Sequence, residues 1–320
     1  MWKFIVRRLL IMIPQLILLS VLVFVMAKFM PGDALTGNVD PSTDPVQMEK
    51  KREEMGWNDP WYEQYTRWVG GVVQGDFGKS FRHKLPVTEL LGQRLLNTFW
   101  LSFVALIITY IIAIPLGIIS GRYNNRFIDQ AITGYTYIGF AMPIFIFALL
   151  MVWFFGFYLG IAPTGGSVKP GLTPGTFEYV LSKLHYLLLP AFSMALIATV
   201  GTVQYLRNEI VDTKQQDFIL TAKAKGANEN RIYNRHIFRN ALLPIAAFFG
   251  YELAALIGGS IFVESIFSYP GMGNLFLESI NLRDYSVVTA CVLVLGVATI
   301  IGTLISDIVL SIIDPRIRIK

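Results

Sequence analysis

Glu252 is the residue in this sequence with the most chemical potential in its position. It falls about eleven residues into an apolar stretch, where an acid is costly to desolvate and faces either a pathway or a partner. Two roles follow for it: lining a translocation route that attracts cationic groups, or packing, protonated or hydrogen-bonded, against another subunit. Gly78-Lys79-Ser80 ends like a phosphate-binding loop, but the position of that motif's first glycine is Val73. A nucleotide site is therefore not expected there, and Gly75 and Gly78 read as turn residues. His83, His185 and His236 are scattered without metal-ligand spacing, and the single cysteine, Cys291, excludes an internal disulfide framework. Zinc and redox chemistry drop out.

The elements that must carry these residues are set by composition. Of 320 residues, 54% are apolar and 15% charged, against roughly 25% charged in soluble domains. A bilayer core of about 30 Å needs about 20 apolar residues in a helix. Six runs qualify: 9–27, 98–120, 134–159, 186–206, 241–263 and 287–313. Lipid offers backbone groups no partner but each other, so each run is expected to be helical. The predicted fold class is all-α, a polytopic membrane bundle of six transmembrane helices. The first run is too long for a signal-peptide core of 7 to 15 residues and reads as a retained anchor, kinked near Pro14.

Charge sets the orientation. With the N-terminus inside, the inner segments 1–8, 121–133, 207–240 and 314–320 carry three, two, seven and three Lys or Arg, whereas the two short outer loops hold only Lys169, Lys183 and Arg283. That asymmetry predicts N-in, C-in. It also accounts for the net charge of +5 as a topology signal, so no nucleic-acid partner is expected. The chain divides into a tail and first span (1–29), an extracytoplasmic cap (30–97), a transmembrane core (98–313) containing the loop 207–240, and a tail (314–320).

Two segments outside the bilayer are more than connections. In the cap, Trp57, Trp61, Tyr62, Tyr65 and Trp68 recur at near-helical spacing, which predicts a small helical unit whose aromatics either form its core or grip a partner. In the inner loop, Asp217 to Lys225 reads as a short helix with an acidic first turn, a basic last turn and Gly226 to stop it. Asn228 is placed to cap a second helix, along which Arg231, Arg235 and Arg239 recur every four residues beside an Ile232/His236 stripe. Helix, glycine bend and helix make a stiff elbow. Gly117/Gly121 and Gly156/Gly160 fit the small-xxx-small helix contact. Gln204 and Asp307, nearer the inner ends of their runs, read as interfacial polarity.

These residues resemble a known family. Thr221-Ala222-Lys223-Ala224-Lys225-Gly226, Arg235-His236 and Asn240-Ala241-Leu242-Leu243-Pro244 are similar to the coupling-loop signature of ATP-binding-cassette importer permeases, with Leu220 and Thr221 replacing the signature's Glu and first Ala. Met30-Pro31-Gly32-Asp33, Gly75 to Ser80, Glu264-Ser265-Ile266-Phe267, Pro270-Gly271-Met272-Gly273 and Asp314-Pro315-Arg316 extend the likeness over essentially the whole chain. They narrow it to the peptide/nickel group, where the chain resembles the B-type membrane subunit of oligopeptide permeases.

The resemblance implies a non-catalytic permease subunit that moves oligopeptides inward. Its partners would be a second, C-type permease subunit, two ABC ATPase subunits, an extracytoplasmic peptide-binding protein, the peptide and membrane lipid. It implies that this chain binds no cofactor, since ATP and Mg would sit on the ATPase subunits. Asp217, Phe218, Thr221, Ala222, Lys223, Ala224, Lys225, Gly226 and Ala227 would form the ATPase-coupling element. Glu252 would line the peptide pathway. Glu264, Phe267, Pro270, Gly271 and Gly273 would form an outer gate, the alternative being a plain external turn. Dipeptides or nickel chelates are alternative substrates, the sparse His and Cys leaning against metal. From other classes, an ion-coupled carrier or channel and an assembly scaffold remain as competing readings.

Overall fold

The computed structural model describes residues 2–29, 50, 53, 56, 58–242, 252, 256 and 258–313. The 30–33 motif, Trp57, most of the 241–263 run with Leu243-Pro244, and the 314–316 motif lie outside the described residues. Among the described residues every regular element is helical, with one isolated bridge between Lys79 and Pro86.

Among the described residues, four helices are long and apolar enough to cross a membrane. Helix α1 (Trp2–Phe29) runs through Pro14 as one helix. After α2 (Trp61–Val73) comes α3 (Val87–Arg122), whose 36 residues span ~54 Å and so overshoot a ~30 Å hydrocarbon core. It starts at Val87, well before the apolar run at Thr98, and its first turns bury Val87, Leu90 and Leu91 against Met272, Leu275 and Val287. Helix α6 (Phe177–Thr213) has 37 residues and α12 (Tyr285–Ile313) has 29.

The run 134–159 is not the single straight span expected from its composition. It is split between α4 (Phe127–Ala141) and α5 (Ile144–Met151), which continues into a π-helical turn (Val152–Tyr158), and the two limbs meet at 103°. Pro143 is the cause. It has no N–H to continue the ladder, and it drives Met142 into extended backbone, φ −92° and ψ 116°. The outer boundary set at Val263 is also corrected. Gly259 turns the chain at φ +59°, Ser260 caps a new helix by accepting from the Val263 N–H, and α10 (Ile261–Ile266) is separate. A hairpin follows, from α10 through residues 267–271 into α11 (Met272–Asn281), which leads to α12.

The most extensive interface joins α3 to α6. Glycine makes it close: a Cβ on Gly117 would fall 2.9 Å from Leu206 Cβ, and one on Gly121 would fall 2.7 Å from Ile210 Cβ. The first glycine pair noted in the sequence is thus a real helix contact, the close backbone approach that small residues permit in lipid. At one end of this pair, Leu101, Ala105, Ala148, Leu187, Ala191, Val263, Phe267 and Tyr269 form one buried cluster; at the other, Leu206 and Ile210 join the elbow. Helix α1 lies against α12, and Arg8 pairs with Asp307 at 3.1 Å, giving that acid a specific partner.

The elbow, the buried acids and their setting

The elbow forms where the sequence places it. Helix α7 (Asp217–Ala224) begins after extended Gln216, and the Thr221 hydroxyl donates to the Asp217 carbonyl at 3.0 Å. Lys225 ends the helix, and Gly226 follows at φ +73°. The Gly226 N–H donates to Lys223 O at 2.9 Å and the Ala227 N–H to Ala222 O at 3.1 Å. This is the Schellman pair of bonds, and its usual apolar contact is supplied by Ala222 and Ala227, both packed on the same cluster. Asn228 Oδ1 then accepts from the Asn230 N–H at 2.8 Å and opens α8 (Glu229–Arg231).

The second limb departs from the expected periodicity. Residues 232–237 form a π-helical turn before α9 (Phe238–Ala241), so the chain gains a residue per turn there. Ile232 is followed on the buried side by Ile237, and the expected Ile232/His236 stripe is displaced by one position.

Ile219 is the single buried residue of α7 and inserts among Leu206, Ile210, Ile232, Ile237 and Ala241. On either side of it Phe218 and Leu220 are 43% and 57% exposed, and Asp217, Thr221, Lys223, Ala224, Lys225 and Gly226 are also exposed. A short helix docked through Ile219 and Ala222 therefore presents a face of two large apolar side chains and two lysines. The limb behind it is braced: Lys214 Nζ donates to Gly121 O and Arg122 O, at 3.2 and 3.3 Å, satisfying carbonyls at the end of α3. The Arg122 guanidinium lies 4.9 Å from the centre of the Tyr233 ring and donates to Asn230 Oδ1 at 3.0 Å.

Next to this brace is a pair that no sequence spacing announces. Asp129, at the start of α4, is buried and accepts from five donors: Ser120 Oγ at 2.5 Å, the Asn125 N–H at 2.8 Å, Arg207 Nε at 2.6 Å, Arg207 Nη2 at 2.8 Å and Thr133 Oγ1 at 3.4 Å. Arg207 Nη2 also donates to Asn124 Oδ1 at 3.2 Å. The one available signal was that Asp129 is the sole acid in the inner segment 121–133.

Glu252 is half-buried and accepts a hydrogen bond from the Tyr110 hydroxyl on α3. Other hydroxyls join α4 to α6: Tyr135 donates to Leu196 O at 2.9 Å and lies 2.6 Å from Thr199 Oγ1, and Thr136 donates to Gln204 Oε1 at 3.3 Å.

The residues expected at an outer gate do come together, as a knot. Glu264 is fully buried outside the membrane-spanning segments. It accepts from Thr98 Oγ1 at 2.9 Å and from the Asn274 N–H at 3.0 Å, while Thr98 Oγ1 accepts from the Met272 N–H at 2.7 Å. Burial pushes the Glu264 carboxyl up, against the opposing pull of these donors and the Gly273 N–H. A Cβ on Gly271 would sit 2.5 Å from the Glu264 carboxylate, and one on Gly273 would sit 2.8 Å from Ile261 Cα. Phe267 is buried, and Pro270 O accepts from Asn97 Nδ2 at 2.9 Å. The hairpin is pinned to α3.

The remaining sequence features also find places. Gly75 and Gly78 adopt φ +80° and +82°, and Ser80 is buried with its hydroxyl donating to Asp284 Oδ2 at 2.6 Å, so the Gly-Lys-Ser triplet is a turn. The cap aromatics divide: Tyr65 and Trp68 pack on Phe24 of α1, with Tyr65 2.8 Å from Ser20 Oγ, while Trp61 and Tyr62 are exposed.

Long apolar helices packed through glycines, with a two-helix elbow exposed at one end, define a multi-pass membrane component. Comparison with known proteins gives the family. Residues 113–319 match the binding-protein-dependent transport system inner membrane component, and residues 1–102 match the N-terminal part of the same kind of component. The chain belongs to this family and is a multi-pass inner-membrane protein. It is 42% identical to the oligopeptide transport system permease protein AppB of Bacillus subtilis (strain 168), over 99% of this chain and 100% of that one. It is 32% identical to the glutathione transport system permease protein GsiC of Escherichia coli (strain K12), over the full length of both. Its fold is similar to that of the inward-facing MetNI methionine ABC transporter, with a TM-score of 0.54 at 15% identity, covering 70% of this chain and 96% of that one.

Proposed function

We propose that this chain is the non-catalytic membrane subunit of an ATP-driven importer of oligopeptides. It works beside a second permease subunit, with two ATPase subunits on the inner face and a peptide-binding protein outside. The observation that carries this is the elbow: α7 is docked on the bundle through buried Ile219, with Ala222 beside it, and leaves Phe218, Leu220, Lys223 and Lys225 bare, a face shaped to enter a separate protein. The full-length likeness to peptide permeases supports the substrate class. ATP and Mg are assigned to the ATPase subunits, and the chain itself takes no cofactor. The proposed topology is N-in, C-in with six spans: the four long helices, the bent α4–α5 pair, and the apolar run that holds Glu252 and ends before the turn at Gly259.

In this scheme, closure of the ATPase dimer draws the elbows together and tilts α3 and α6 with them, opening the bundle outward to receive the peptide. Glu252 lines the route and attracts the peptide's amino terminus or basic side chains. The pinned hairpin from Glu264 to Gly273 frames the outer mouth. The test is uptake of a labelled peptide into proteoliposomes holding all four membrane and ATPase subunits, with the binding protein added outside. The proposal expects uptake that requires ATP; uptake driven by an ion gradient without ATPase subunits would overturn it. In the same assay Glu252→Gln should weaken uptake of cationic peptides more than neutral ones. Equal uptake of both would remove Glu252 from the route.

A further inference from the structure

The Asp129–Arg207 pair sits where the movement of the elbow has to be handed on. Arg207 lies between Leu206, which packs on Gly117, and Ile210, which packs on Gly121 and on Ile219 of the elbow. Its guanidinium grips Asp129 with two nitrogens, and Asp129 is held in turn by Ser120 of α3 and by the backbone of Asn125. Three helices, α3, α4 and α6, thus converge on one carboxylate. From there α4 leads through the 103° bend to α5, which packs against α10 of the outer hairpin.

An ion pair is an unusual choice for mere adhesion. Replacing a buried pair with apolar side chains of similar volume is often neutral or stabilising, because desolvation offsets the Coulomb attraction. What a two-pronged guanidinium–carboxylate contact supplies is direction: it fixes the rotation and register of its helices, where apolar packing allows slippage. We propose that Asp129 and Arg207 are positioning residues for transport, a joint that makes α4 follow the elbow so that ATP hydrolysis at the inner face moves the outer hairpin. This inference rests on the importer reading above.

The test separates position from stability. Asp129→Leu combined with Arg207→Met replaces the pair with apolar packing, and Arg207→Lys keeps the charge but loses the fork. Each would be assembled with its partner subunits in proteoliposomes, and peptide uptake and ATP hydrolysis measured together, alongside thermal stability. The joint predicts that the apolar double variant keeps its stability and hydrolyses ATP but moves about tenfold less peptide per ATP, within the usual range of coupling between sites. Arg207→Lys should fall between it and the wild type. If the double variant is too unstable to assemble, Arg207→Lys alone carries the test through the same ratio. An unchanged ratio in whichever variants assemble would overturn the joint. Failure of the importer reading is distinguishable, because the wild-type complex would then show no ATP-driven uptake at all.

Discussion

Replacing Ile219 with alanine should loosen the elbow by a calculable amount. The side chain is buried among Leu206, Ile210, Ile232, Ile237 and Ala241. The substitution removes three carbons, worth about 2.4 kcal/mol at roughly 0.8 kcal/mol each, and incomplete collapse of the cavity raises the cost to about 3 kcal/mol. Helix α7 has eight residues, far below the ~12–15 at which an isolated helix becomes even marginally stable, so undocking should also melt it. A loss of about 3 kcal/mol multiplies the undocked population by roughly 150. Hydrogen exchange followed by mass spectrometry, on the complex without nucleotide, reads this directly: amides 218–227 should exchange up to ~150-fold faster, while those of α3 stay protected. Ile219→Val, which loses one carbon, should cost about 1 kcal/mol and give roughly fivefold faster exchange. Unchanged exchange over 218–227 in the alanine variant would refute the idea that Ile219 is the main anchor of the elbow.

Further outcomes follow from other positions. Gly226→Ala places a side chain at φ +73° and should destabilise the bend by about 1–2 kcal/mol, with Gly226→Asn milder; peptide uptake per ATP in proteoliposomes should fall in that order. Gly121→Val should separate α3 from α6 and cost about 1–3 kcal/mol in thermal stability, whereas Gly134→Ala, where a Cβ meets nothing within 4 Å, should be tolerated. Because burial raises the Glu264 carboxyl above the ordinary glutamate value of 4.5, the folded state holds that proton more tightly than the unfolded chain. Its contribution to stability is therefore full below that ordinary value and lost as pH rises through the raised one. Glu264→Gln should flatten that part of the stability–pH profile, measured by thermal unfolding across acidic to neutral pH.

What the sequence makes legible here is local. The apolar runs announce α1, α3, α6 and α12 because a membrane helix needs only length and composition. The elbow is legible because its stop and start signals, Gly226 and Asn228, act within a few residues of themselves. The break at Met142-Pro143 escapes notice because hydropathy is blind to it: both limbs are apolar, and a proline in a membrane helix is often tolerated. The slip from His236 to Ile237 follows from a π turn, which a 3.6-residue template cannot anticipate. Asp129 and Arg207 stand 78 positions apart, and Thr98 and Glu264 stand 166 apart, so only the packing of α3 against its neighbours brings them together.

The central claim is that α7 sits in a socket on a separate ATPase subunit. It is tested most directly by placing a cysteine at Lys223, with a short bifunctional reagent, in the assembled complex. The account predicts a covalent product joining this chain to the ATPase subunit, whose yield changes when ATP closes the ATPase dimer. Absence of any such product in a complex that still imports peptide would contradict it.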